Sequence, residues 1–231
     1  MKKLSLAIML ALCTLAVWAQ NGWVEVKFLG TGPDIMDFAW SYATDTDGNE
    51  DAELDESSAA LQQALERYRT GQEQAEGFTI TVDRKAGYIL VQSKHEGFTS
   101  KWEMCYWNMA DKKHKLFAIC TELSENGKRS GPGQYDGLTF FRYDNATRKM
   151  RAYDAGVDVE YFNISYGLPR VGKDITVTHW SENGREKWQT TLKWNEFGEV
   201  SGHRVLIKRG PGNRGPTECG TTHEATSGMS S

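Results

Sequence analysis

An Asn-Gly pair at positions 183 and 184, set between the alternating runs 175–182 and 185–194, constrains this chain more than any other feature. A two-residue hairpin loop needs positive φ at both central residues, which Asn and Gly supply, and such a loop fixes the register of the strands it joins. Glu182 then faces Arg185, His179 faces Trp188, Val177 faces Thr190 and Ile175 faces Leu192. Because side chains alternate along a strand, one face carries Ile175, Val177, His179, Trp188, Leu192 and Trp194. That is the core side. The other face carries Thr176, Thr178, Lys187, Gln189 and Lys193, and Trp180 falls among them, a large apolar residue in a polar row.

Further hairpins are written along residues 77–208. Strands at 78–82 and 88–91 flank Asp83-Arg84-Lys85-Ala86-Gly87, where Gly87 suits the left-handed position of a bulged turn. Strands at 138–143 and 149–153 flank 144–147, and Trp194 and Val200 flank 195–198. With runs at 24–29, 161–166 and 200–208, these predict a mainly β chain of about ten strands. The architecture expected is an antiparallel meander, closed as a barrel or folded as a two-sheet sandwich. One helix is expected, from Ser57 or Ser58 to about Arg69, with Leu61, Ala64, Leu65 and Tyr68 on one stripe and Gly71 as its stop.

The first nineteen residues carry Lys2 and Lys3, an apolar run to Val17, and Val17-Trp18-Ala19 before Gln20, the pattern of a secretory signal peptide cleaved after Ala19. Cys13 is a poor lipid acceptor because Leu12, not a small residue, precedes it. The expected organisation is a leader at 1–19, one β-rich domain at 20–208 with an acidic loop and helix at 45–71, and a disordered Gly, Pro, Ser and Thr tail at 209–231. The expected location is secreted or periplasmic, and no run is apolar enough to span a bilayer. Losing Lys2 and Lys3 takes the formal charge from -4 to -6, with no basic stripe to hold a nucleic-acid backbone. Residues 28–66 contain no Lys or Arg, and such a block reads as a solvated, flexible face.

Three cysteines remain after the leader, Cys105, Cys120 and Cys219. If a hairpin turns at Lys112-Lys113, Cys105 faces Cys120, so the pair forms a cross-strand disulfide or remains two buried neighbouring thiols. The run from Asp45 to Glu56 resembles the calcium loop of EF-hand and dockerin modules over these twelve residues, which would make Asp45, Asp47, Asn49 and Glu56 the ligands. Against the match, Glu50 stands at the glycine position, Ala52 replaces an apolar residue, and no clear helix precedes the loop. The alternative is an acidic linker into a helix N-terminus. For catalysis, Asp154 and Glu160 could supply an acid and a base, or be solvated turn residues; the histidines have no zinc-binding spacing. Trp180 is the aromatic most exposed to a ligand by the hairpin argument.

The segments Trp102-Glu103-Met104-Cys105-Tyr106-Trp107-Asn108 and Lys115-Leu116-Phe117-Ala118-Ile119 give the body a general character that resembles uncharacterised secreted β-rich proteins of Bacteroidetes-type bacteria. The resemblance implies an envelope or extracellular setting and transfers no functional residue. The expected function is a noncatalytic exported β-domain binding a small ligand, a glycan or an envelope protein. The alternatives are a secreted hydrolase using acidic residues and a calcium-stabilised module.

Overall fold

The computed structural model describes residues 22–45, 56–72, 77–95, 97–125, 128–129, 137–157, 164–180, 186–197 and 200–203; the leader, Asp47, Asn49, Glu160, Cys219 and the tail lie outside them. In chain order the elements are β1 (Val24–Glu25), α1 (Ile35–Ala43), α2 (Glu56–Arg69), β2 (Phe78–Asp83), β3 (Tyr88–His95), β4 (Phe98–Asn108), β5 (His114–Glu125), β6 (Lys128–Arg129), β7 (Gly137–Asp144), β8 (Lys149–Ala152), β9 (Ile164–Gly167), β10 (Asp174–Trp180), β11 (Glu186–Trp194) and β12 (Val200–His203). The chain is mainly β and antiparallel, as the turn signals predict. Eight strands form a main sheet in the order β1-β8-β7-β5-β4-β3-β2, with β6 beside the end of β5, and the last four form a second sheet, β12-β11-β10-β9.

The result is a two-sheet sandwich with a helical layer outside it, and the central strands explain why. In β4, Trp102, Met104 and Tyr106 point toward the helices, while Cys105 and Trp107 point toward the second sheet. In β5, Phe117 and Ile119 take the helix side, and Leu116, Ala118 and Cys120 the other. A strand covered on both faces has no polar row, which is why these segments read as continuous apolar runs. Burying each large side chain contributes roughly 1.5–3 kcal/mol.

The 175–194 hairpin has the register its loop signal demands: Ile175 faces Leu192, Val177 faces Thr190 and His179 faces Trp188. The register slips after His179, so Trp180 pairs with Glu186; the Asn183-Gly184 turn lies outside the described residues. Gly87 adopts φ 67, and a Cβ there would stand 2.9 Å from a ring carbon of Tyr106. α2 falls where its stripe predicts. β1, β9 and β12 occupy shorter or shifted parts of the runs expected for them.

Two expectations are corrected. The acidic block 28–66 contains α1, started by a capping box in which Asp34 accepts from the Met36 and Asp37 backbone N–H groups and Asp37 accepts from that of Asp34. Ile35, Phe38 and Ala39 of α1 are buried, and Arg84 pairs with Asp34 from the β2–β3 turn. Two of the block's charges, Asp34 and Asp37, therefore cap a core helix. The β4–β5 hairpin also turns one residue earlier than expected, so Cys105 faces Ala118 and Cys120 faces Glu103. Asp111 sets this turn: its Oδ1 accepts from the Lys113 and His114 backbone N–H groups at 2.9 and 3.0 Å, with Lys112 at φ 56. Cys105 and Cys120 become diagonal neighbours on one face, roughly 7–8 Å apart in Cα, too far for a bridge. They are free thiols.

Candidate functional site

The second sheet does not close against the β2–β3 turn. The connection from β9 to β10, residues 168–173, crosses opposite that turn and leaves a cleft of about 380 Å³. Its floor is the Cys105 thiol and the Trp107 indole, both on β4, and its walls are Ala86, Pro169 and Gly172. Trp107 Nε1 donates to the Gly172 carbonyl at 3.1 Å, which fixes the ring plane and the crossing segment together. At the rim, Arg170 Nε and Nη2 each lie 2.9 Å from Asp83 Oδ2. The Asp83 carboxyl is held below its usual range, first by the Ala86 backbone N–H and then by this guanidinium. Lys85 completes the rim.

Behind the floor lies a buried carboxylate. Glu103 is 8% exposed, between Trp102 and Met104 in the central strand. Tyr88 donates its hydroxyl to Glu103 Oε1 at 2.5 Å, the Leu168 backbone N–H donates to Oε2 at 3.1 Å, and Lys101 Nζ stands 3.4 Å from Oε2. A charge can stay in a core only when it is partnered in this way. The Tyr88 hydroxyl is pushed above its ordinary value by burial and then by Glu103. Burial also raises both thiols, Cys105 well up and Cys120 to about 12, with Glu103 adding to each. Cys120 Sγ donates to the Tyr166 carbonyl at 3.2 Å. These are protonated thiols, poor nucleophiles at neutral pH.

A second polar cluster sits at the same end of the main sheet, on the neighbouring turns. His114 Nδ1 lies 2.5 Å from Asp111 Oδ2 and its Nε2 lies 3.8 Å from Asp144 Oδ2, joining the β4–β5 turn to the β7–β8 turn. The two ring nitrogens address different carboxylates, so the trio does not converge on one point. Among the described residues no group of three or more His, Cys, Asp or Glu side chains is placed to hold a metal ion.

Of the residues singled out from sequence, Cys105 alone lines the cleft. Trp180 is half-buried on β10, its Nε1 donating to Ser165 Oγ at 2.9 Å. Asp154 is exposed, and its Oδ1 accepts from the Gly156 backbone N–H at 2.8 Å, an Asx turn; Glu160 lies outside the described residues. Asp45 follows α1 and Glu56 begins α2, remote in sequence from the cleft. Sequence reasoning missed Glu103 and Arg170. Glu103 left a signal, a lone acid inside a run of apolar and aromatic residues; Arg170 left none.

Comparison with known proteins finds no matching family model, no matching curated protein and no matching solved structure.

Proposed function

We propose that the protein is an exported, noncatalytic β-domain that binds a small, partly apolar organic acid in the cleft between the β2–β3 turn and residues 168–173. The observation that carries this reading is the pairing of an indole-and-thiol floor with a cationic rim in a cavity of about 380 Å³. The cleft joins an apolar floor to a charged rim of Asp83, Lys85 and Arg170, and its volume falls at the lower end of the range of small-molecule sites. Asp83 engages Nε and Nη2 of Arg170, which leaves the rest of the fork and the Lys85 ammonium for a carboxylate. Binding is favoured over turnover because the thiols stay protonated and Glu103 already has partners on both oxygens. The leader at 1–19 supports export to the periplasm or beyond, and among the described residues no helix is long and apolar enough to cross a membrane.

The test is calorimetric titration of the mature chain with a series of aliphatic and aromatic carboxylic acids and their matched amides. An acid should bind about tenfold more tightly than its amide, near 1.4 kcal/mol, and Arg170→Ala should abolish the difference. Failure of every acid in the series to bind sinks the reading.

A calcium-stabilised module is the second reading, favoured by one observation. α1 ends at Ala43 and α2 begins at Glu56, so the acidic run has a helix on each side, the context a calcium loop requires. Asp45, Asp47, Asn49 and Glu56 are the proposed ligands. Chelator should lower the melting temperature; an unchanged melt removes this reading.

A further inference from the structure

The second sheet covers only part of the main sheet's outer face. One cross-strand row shows where cover ends: Trp107 on β4 pairs with Leu116 on β5, both buried, Leu116 pairs with Arg142 on β7, and Arg142 pairs with Arg151 on β8. Val24 pairs with Met150, so Trp23, one residue earlier, continues the row opposite Arg151, and it is 49% exposed. Tyr153 extends the same face of the sheet's edge, its N–H donating to the Phe140 carbonyl at 2.8 Å.

Two arginines directly opposite each other destabilise a sheet unless something compensates. Among the described residues no carboxylate lies within ion-pair distance of either one. Each lies over an aromatic ring instead: the Arg142 guanidinium is 5.3 Å from the Tyr153 ring centre and that of Arg151 is 4.8 Å from the Trp23 ring centre. Ring stacking occupies a guanidinium's flat face and leaves its N–H edge free for an oxyanion. Directly opposed residues have Cβ atoms roughly 4.5–5.5 Å apart, so the two arginines rise from neighbouring points of the sheet. Two acids share this face, Asp144 and Glu25, and each stands opposite Lys149, from β7 and β1 respectively. Asp144 Oδ1 also accepts from the Ala146 and Thr147 N–H groups at 2.7 and 3.2 Å, so the local excess of positive charge rests on Arg142 and Arg151.

We propose that this strip of the main sheet binds an acidic glycan, with Arg142 and Arg151 holding a sugar carboxylate and Trp23 and Tyr153 flanking it with apolar ring edges. The span from β7 to β1 covers two strand spacings, roughly 10 Å, the scale of a short saccharide rather than of a protein interface. The chain's overall charge of -4 selects against a long polyanion such as nucleic acid, whereas a short acidic saccharide meets only the local cations. This site is separate from the cleft and stands without it.

The experiment is titration of the full mature chain with tetragalacturonate, with neutral maltotetraose, and with a single-stranded oligonucleotide. Tetragalacturonate should bind, maltotetraose should bind at least tenfold more weakly, and the affinity should fall with added salt. The double variant Arg142→Gln with Arg151→Gln should lose at least tenfold, and Arg151→Lys, which keeps charge but loses the fork, should lose less. Arg170→Ala at the cleft should leave this binding unchanged. Melting curves should show both variants folded, because removing opposed like charges does not destabilise the sheet; Trp23→Ala, outside any strand, gives an independent loss of several-fold. Equal binding of maltotetraose, tighter binding of the oligonucleotide, or full affinity in the double variant would each overturn the proposal.

Discussion

The two faces of the main sheet are built from alternate residues of the same strands, yet their chemistry differs. The face under the helices is mainly apolar and aromatic: Phe38 of α1 sits 5.5 Å from Phe117 in a stacked pair and 5.1 Å edge-on from Tyr143, and Phe117 meets Phe141 at 5.9 Å. The opposite face carries a buried glutamate, two thiols and a cleft, and the second sheet packed on it brings Trp194 of β11, whose buried Nε1 has no hydrogen-bond partner among the described residues. Apolar packing without polar atoms gives the most stability per side chain, while polar groups in a core contribute specificity only when all are matched. The helix face therefore carries the stability, and the other face carries what binding chemistry the molecule has.

The sharpest way to break this comparison is Phe117→Ala. Phe117 is fully buried in the aromatic cluster, and its truncation should cost about 3–5 kcal/mol in urea unfolding. A cost below that of any substitution on the opposite face would reverse the assignment. Next in size is Glu103→Leu, which strands the Tyr88 hydroxyl and the Leu168 N–H and should cost about 2–3 kcal/mol. Adding Tyr88→Phe should return part of that loss, because a removed pair costs less than a widowed partner; strict additivity in the double-mutant cycle would mean the 2.5 Å contact carries no coupling.

The smallest effect belongs to the exposed cluster on the β4–β5 and β7–β8 turns. The Asp111 carboxyl is lowered from 3.8 to about 2, chiefly by its hydrogen bond with His114. A carboxylate whose value is lower in the folded state contributes stability that is full above its unfolded value and fades as pH falls toward the folded one. Asp111→Asn should thus lower stability slightly at neutral pH, where the contribution is full, and converge with the parent as pH falls from 3.8 to about 2, which flattens the acid limb. An acid limb identical to that of the parent would remove the Asp111–His114 contact from the account.

What could be read from sequence depended on whether the signal was local. The 175–194 register was legible because Asn183-Gly184 admits one loop geometry, and α2 because its stripe is unbroken. α1 was not, since its capping acids Asp34 and Asp37 look the same in sequence as solvated charges. The β4–β5 register was misjudged because Lys112-Lys113 looks like the turn, while the Asp111 side chain, two bonds away from notice, ties the loop one residue earlier. Neither candidate binding surface was legible. Alternation assigns Arg142 and Arg151 to a face, but how far a second sheet extends over that face is a long-range fact, and so is the meeting of Arg170 with Asp83.

The pairing of β1 with β8 sets an order of events in time. Val24 pairs with Met150, more than a hundred residues along the chain, so the N-terminal strand has no sheet to join until β8 is in place. Closing so long a loop costs entropy before the contact can repay it. β10, β11 and β12, by contrast, are joined one to the next and pair across short loops. The beginning of the chain is thus among the last parts to settle.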